Sequence, residues 1–108
     1  MSHSNFVNNS VGFNISQSVK GSLTDSLVSN NSSIGVNVGI GELTMTRCEI
    51  AHNGTGVAAS FSGIVRMSSN TVYDNTTGLS GATIISLGNN VIEGNGTNGS
   101  PTSTIVLH

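Results

Sequence analysis

The side chains best suited to acid–base chemistry are those of His52 and Asp74. A histidine beside a carboxylate can act as a general base, and Arg47 and Tyr73 are close enough in sequence to help contact a sugar. Glycoside hydrolysis uses two carboxylates at a set separation, and no second carboxylate is spaced to partner Asp74. We therefore expect a surface pair, with His52 and Asp74 as catalytic candidates and Arg47 and Tyr73 as binding candidates.

Metal and phosphate chemistry are not favoured by the sequence. A zinc site would need the thiolate of Cys48 together with a histidine such as His3 or His52. Cys48 shares its repeat position with serines and asparagines, however, which predicts a small polar or packing role. Residues 39–42 resemble a glycine-rich loop, but no helix follows them, so phosphate binding is not expected. We predict no metal and no cofactor.

Composition excludes several classes of protein. The 108 residues are enough for one domain and carry 7% charged residues, with a net charge of -2. Nucleic-acid binding requires a basic surface, and a membrane-spanning helix requires a run of ~20 apolar residues, so we predict neither partner. The first ten residues contain no basic and no apolar segment, so no signal peptide is predicted in this chain.

The same composition favours strands. Ser (18), Thr (11), Asn (14) and Gly (14) make up 57 of the 108 residues, and these are mediocre or poor helix formers. Val and Ile dominate the apolar residues, which fits strands. Hydrophobic residues are 35% of the chain, which argues against disorder.

A repeat of about 22 residues runs along the chain, and such a period predicts a repeat architecture. Its motif is an apolar residue, two further residues, an asparagine, and a glycine three or four residues later. The motif asparagines keep a constant interval until the last step, which is slightly shorter, and they are Asn9, Asn31, Asn53, Asn75 and Asn95. An apolar column keeps the same interval and shortens in its last two steps; it consists of Leu23, Met45, Met67, Leu87 and Leu107.

Each unit contains three short extended stretches. In the third unit these are residues 48–51, 56–59 and 61–67, and the last of them alternates between Phe61, Gly63, Val65 and Met67. Three strands in each repeat, without a hairpin signal, predict a solenoid whose coils stack in parallel about 4.8 Å apart. We place the coils near residues 4–25, 26–47, 48–69, 70–89 and 90–108.

The motif resembles the right-handed parallel β-helix of the pectin lyase-like superfamily over nearly the whole chain. The sequence Asn-Thr-Val-Tyr-Asp-Asn-Thr-Thr-Gly-Leu at residues 70–79 carries this resemblance. It implies an all-β, right-handed, single-stranded parallel β-helix of about five coils, each one repeat long, forming a single domain over residues 1–108. Members of this superfamily are often extracellular.

The resemblance implies a fold and a link to carbohydrates rather than an activity. The superfamily contains pectate lyases, polygalacturonases and tailspike-type glycosidases. The lyases use clustered calcium-binding aspartates with a basic residue, and the hydrolases use several aspartates on neighbouring coils. This chain has only Asp25 and Asp74, about two coils apart, so neither arrangement is present.

Stacked coils turn the repeat into columns. The interior is predicted from the Leu23 column and two others, Phe6/Val28/Ile50/Val72/Ile92 and Phe13/Val36/Val57/Leu79. The motif asparagines should form a ladder at a bend, because an amide can donate and accept and asparagine tolerates the left-handed conformation. The following glycines should serve the next bend. Lys20 with Glu42, and Asp25 with Arg47, should pair across coils.

We therefore expect a non-catalytic β-helix module with a structural or interaction role. The alternative is a carbohydrate-binding or carbohydrate-active domain, of the polysaccharide lyase or glycosidase type, with its site on one outer face. Exposed coil ends should promote self-association into a homo-oligomer, with Ile105 and Leu107 in the contact.

Overall fold

The computed structural model describes residues 4–60, 62–81, 83–87, 89–97 and 103–104. These residues form twelve strands and no helix, and therefore include no helix that could span a membrane. The strands are β1 (Asn5–Val7), β2 (Val11–Thr24), β3 (Leu27–Ser29), β4 (Ile34–Thr46), β5 (Glu49–Ala51), β6 (Thr55–Ala59), β7 (Ile64–Ser68), β8 (Thr71–Tyr73), β9 (Thr77–Gly81), β10 (Ile84–Ser86), β11 (Val91–Ile92) and β12 (Ser103–Thr104).

The strands stack into a parallel β-solenoid of about four turns. The short strands form a five-stranded sheet in the order β1-β3-β5-β8-β11. The remaining strands form a seven-stranded sheet, in which β4 pairs with β2, β6 and β7. The first two coils run through this sheet as the long strands β2 and β4, whereas the third and fourth coils break there into β6 and β7, and β9 and β10. The predicted all-β parallel β-helix is confirmed, and about four coils are seen where the repeat predicts five.

The interior is built from the predicted columns. Phe6 pairs with Val28, Val28 with Ile50, and Ile50 with Val72, all in parallel register. Val28, Ile50 and Val72 have no exposed surface. Because each residue lies above its counterpart in the next coil, one apolar position per strand is enough to give a continuous core.

One predicted column is wrong in the fourth coil. The structure pairs Ile84 with Val65 and Ser86 with Met67, whereas the repeat predicts Ile85 and Leu87 at these places. The corner before β10 is therefore one residue shorter than the repeat implies. Since side chains alternate between faces along a strand, this single residue places Ile84 and Ser86 inside and leaves Ile85 and Leu87 half-buried. The last predicted members of this column, Ile105 and Leu107, lie outside the described residues.

The left-handed residues are those directly before the motif asparagines, where the prediction assigned this conformation to the asparagines themselves. Their φ angles lie between 53° and 71°, and they are Asn8, Asn30, His52, Asp74 and Gly94. A second left-handed column, Asp25, Arg47 and Ser69, precedes the short strands. The left-handed residue bends the chain between two strands, and the side chain that follows it points inward.

The motif glycines also have a different role from the predicted one. None of Gly12, Gly35, Gly56 and Gly78 has a positive φ, and all four lie within strands. A Cβ atom on Gly35 would lie 2.8 Å from the carbonyl oxygen of Gly56 and 2.9 Å from Nδ2 of Asn53. These positions need glycine because neighbouring coils and the asparagine amides approach closely, not because the chain bends there.

Candidate functional site

The four candidate residues lie in or directly beside the short strands β5 and β8. Alternation along β5 and β8 points Glu49, Thr71 and Tyr73 outward while Ile50 and Val72 point into the core. The Tyr73 hydroxyl donates a hydrogen bond to the Glu49 carboxylate of the preceding coil. This hydrogen bond raises the pKa of the Tyr73 phenol. Tyr73 therefore stays protonated and neutral near pH 7.

His52 and Asp74 occupy equivalent positions in successive coils, in the left-handed turn that follows the short strands. Among the described residues, no hydrogen bond or ion pair joins their side chains. The His52 ring instead meets the Tyr73 ring edge-on, with centroids 5.9 Å apart. The side chains of His52 and Asp74 are both exposed. The geometry brings His52 to an aromatic neighbour rather than to the carboxylate that an acid–base pair requires.

Arg47 lies before the short strand β5, at the end opposite to His52, and its side chain forms an ion pair with Asp25. Its Nε and one terminal nitrogen donate to the two carboxylate oxygens of Asp25 at 2.7 and 3.1 Å. This bidentate pair confirms the predicted contact, and its hydrogen bond raises the pKa of Arg47. An open depression of about 630 Å³ lies beside the pair, with Leu27, Glu49 and Thr71 in its wall. Arg47 and Tyr73 thus lie on one face, at opposite ends of the short strands.

The remaining cations meet a single carboxylate on another face. Lys20 lies 3.6 Å from Glu42, as predicted, and Arg66 donates to the same carboxylate at 3.0 Å. The hydrogen bond from Arg66 lowers the pKa of Glu42. The contact with Arg66 was not predicted, because Arg66 does not lie at the repeat interval from Glu42.

The motif asparagines lie one above another and are joined by directional hydrogen bonds. The backbone N–H and Nδ2 of Asn53 donate to Oδ1 of Asn75 at 2.9 and 3.0 Å. Nδ2 also donates to a strand carbonyl of the preceding coil, that of Val28, at 3.2 Å. The same bonds recur at Asn31 and Asn75. Each of these amides therefore connects three coils from inside the wall.

A second polar row is the repeat position that the sequence assigns to Cys48 together with serines and asparagines. It occupies the inward position before the short strands and contains Ser4, Ser26, Cys48, Asn70 and Asn90. Asn70 repeats the pattern above: its backbone N–H and Nδ2 donate to Asn90, and its Nδ2 also donates to the Met45 carbonyl. Cys48 is buried here, and burial raises the pKa of its thiol. The repeat spacing predicts this shared position, and the structure adds the hydrogen bonds that Asn70 makes to Asn90 and Met45.

Most of the charge on the molecule is already engaged between coils. Six of the eight charged side chains take part in the ion pairs and the Tyr73–Glu49 hydrogen bond described above. Within the described ranges, no group of three or more His, Cys, Asp or Glu residues is placed to hold a metal ion. Beside the short strands, the His52 and Tyr73 rings and the Glu49 carboxylate form an aromatic and hydrogen-bonding surface.

Comparison with known proteins places the chain by its fold. Residues 1–104 match the family described as the right-handed β-helix region. No curated protein and no solved structure matches the chain. The resemblance to the pectin lyase-like superfamily is consistent with this family. Because the match spans nearly the whole chain and the coils stack in parallel, the chain belongs to the right-handed β-helix family.

Proposed function

We propose that the chain is a non-catalytic β-helix module with a structural or interaction role. The observation that supports this most directly is that most of its charged side chains form ion pairs or hydrogen bonds between neighbouring coils. Arg47, Asp25, Glu42 and Arg66 connect neighbouring coils, and the His52 ring faces Tyr73 rather than Asp74. A catalytic site would need such groups available and mutually oriented.

Activity assays test the absence of catalysis. We expect no lyase or hydrolase turnover on acidic polysaccharides, whether or not divalent cations are added. Turnover that falls in both His52→Gly and Asp74→Gly, but not in Thr44→Ala on a different sheet, would refute the proposal. Glycine is chosen at both positions because His52 and Asp74 are left-handed, with φ of 58° and 53°, so that the fold is preserved.

The interaction role proposed here is self-association through the coil ends. Terminal coils present unpaired strand edges, and the residues proposed for the contact, Ile105 and Leu107, lie outside the described residues. Light scattering at micromolar concentration should give a mass above the 11.0 kDa of one chain. Leu107→Asp should reduce that mass, and a monomer whose solubility is unchanged by Leu107→Asp would refute this role.

Carbohydrate binding on the outer face is the second candidate function. Tyr73 and His52 provide rings on which a sugar can stack, and Glu49 provides an acceptor beside them. A glycan array should then give binding that Tyr73→Ala removes and Thr44→Ala keeps. Equal binding by these two variants, or no binding by the parent protein, would remove this candidate.

A further inference from the structure

The charges of the molecule are divided unequally between its two sheets. The described ranges include every Lys, Arg, Asp and Glu of the chain. Two cations and one carboxylate lie in strands of the seven-stranded sheet, and they are Lys20, Arg66 and Glu42. One cation and four carboxylates lie in the short strands or in the turns that flank them, and they are Arg47, Asp25, Glu49, Asp74 and Glu93. The side of the molecule that carries the five-stranded sheet is therefore negative.

The arginine on this side does not offset the carboxylates near Tyr73. Arg47 is joined to Asp25 by two hydrogen bonds of 2.7 and 3.1 Å, so this pair is neutral as a unit. The uncompensated charge belongs to three exposed carboxylates, those of Glu49, Asp74 and Glu93. Because they are exposed, their field extends into the solvent beside the sheet.

These three carboxylates are arranged around Tyr73. Glu49 of the preceding coil accepts the Tyr73 hydroxyl. This hydrogen bond is the main cause that raises the pKa of the Tyr73 phenol, and the charge of Asp74 adds to it. Glu93 takes the place of Tyr73 in the following coil, since Ile92 pairs with Val72 and the Glu93 N–H donates to the Val72 carbonyl at 3.2 Å. The Tyr73 ring thus lies within a region of negative charge.

We propose that the outer face of the five-stranded sheet selects neutral glycans and rejects glycans that contain uronic acids. This inference rests on carbohydrate binding at Tyr73 and His52, the second candidate function above. A neutral sugar brings hydroxyl donors to the Glu49 carboxylate and a ring to stack on Tyr73. The carboxylate of a uronic acid would approach like charges, and such repulsion is a common source of specificity.

Arg47 does not provide an alternative place for an acidic sugar. Its Nε and one terminal nitrogen already donate to Asp25. A uronate that took over these two donors would leave the Asp25 carboxylate without its ion pair, so one charge would be paired at the expense of another. The open depression beside this pair has Glu49 in its wall. Acidic polysaccharides should therefore bind more weakly than neutral ones on the whole of this face.

The experiment uses ligands that differ in charge alone. An array of neutral oligohexoses is compared with the same oligosaccharides oxidised at C6 to uronates, and with the methyl esters of those uronates. Titration at low salt should show that the neutral and ester forms bind at least about tenfold more tightly than the free uronate. The difference should narrow at high salt, because salt screens exposed charges. Uronate binding that equals or exceeds neutral binding would overturn the inference and leave carbohydrate binding in place. An ester as weak as the uronate would also overturn it, and binding of no glycan would remove both this inference and the candidate function.

A pair of variants assigns the selectivity to this face. Asp74→Asn removes one of the three carboxylates, and asparagine tolerates the left-handed conformation of this residue. Glu42→Gln removes the same charge from the other sheet. We expect Asp74→Asn to tighten uronate binding by about two- to fivefold without changing the affinity for the neutral form, and Glu42→Gln to change neither. Equal effects of the two variants would show that net charge alone matters, which would overturn the proposed role of this face.

Discussion

Replacing Asn53 with alanine removes the central amide of the row. The substitution deletes two bonds accepted by Oδ1 from Asn31 and two donated by Nδ2, to Val28 and Asn75. Asn31 Nδ2 keeps its bond to Phe6, and Asn75 Oδ1 keeps the backbone N–H of residue 53. The Asn31 backbone N–H and the Val28 carbonyl each lose a partner in a dry wall.

The cost follows from these two groups. Each buried polar group left without a partner costs about 1–3 kcal/mol, so we expect Asn53→Ala to lower the free energy of unfolding by about 2–6 kcal/mol. For a chain of this size that corresponds to a fall in melting temperature of roughly 10–30 °C. Urea unfolding followed by circular dichroism should show a lower midpoint with an unchanged slope.

The matched control is Asn37→Ala. Asn37 also donates an amide bond to an asparagine of the neighbouring coil, Asn14, at 2.8 Å, but this pair is exposed. Water can replace that bond, so the change should be within about 0.5 kcal/mol. If Asn53→Ala and Asn37→Ala lower the free energy of unfolding equally, burial of the asparagine row does not increase the contribution of its hydrogen bonds to stability.

The remaining predictions concern packing, pH and the turns. Gly35→Ala should destabilise by about 1–3 kcal/mol, because its Cβ would meet backbone at 2.8 Å, while Gly39→Ala, whose nearest such contact is 3.8 Å away, should be tolerated in the same urea titration. The Arg66 hydrogen bond lowers the pKa of Glu42, so its contribution is present above the ordinary value of 4.5 and is lost as the pH falls through the folded value; Glu42→Gln should therefore flatten the acid limb of a stability–pH curve, and an unchanged limb would contradict this. Asp74→Ala should cost about 1–2 kcal/mol because φ is 53°, whereas Asp74→Gly should not, and equal melting temperatures would show that the turn is unstrained.

The sequence alone was sufficient for the architecture, because a solenoid repeats a local pattern. The constant interval between Asn9, Asn31, Asn53 and Asn75 is also the vertical relation between their side chains, so counting along the chain predicts contacts in space. The same counting identified the core column through Val28 and the ion pair between Asp25 and Arg47.

Where counting failed, the reason was geometric. Strand pairing depends on register to a single residue, and the corner before β10 is one residue shorter than the average spacing implied, so Ile84 and Ser86 took the inward places predicted for Ile85 and Leu87. The left-handed bend also lies one residue earlier than expected, directly before each motif asparagine. The presence of an asparagine in the repeat does not show which of the two residues adopts the left-handed conformation.

The candidate site was decided by tertiary structure. The repeat placed His52 and Asp74 at equivalent positions in adjacent coils, but side-chain direction at a left-handed turn is set by the backbone around it. The result is a His52 ring against Tyr73 and a Tyr73 hydroxyl bonded to Glu49 of the preceding coil. Periodicity fixes which residues are stacked; the three-dimensional path of each turn determines which of their side chains meet.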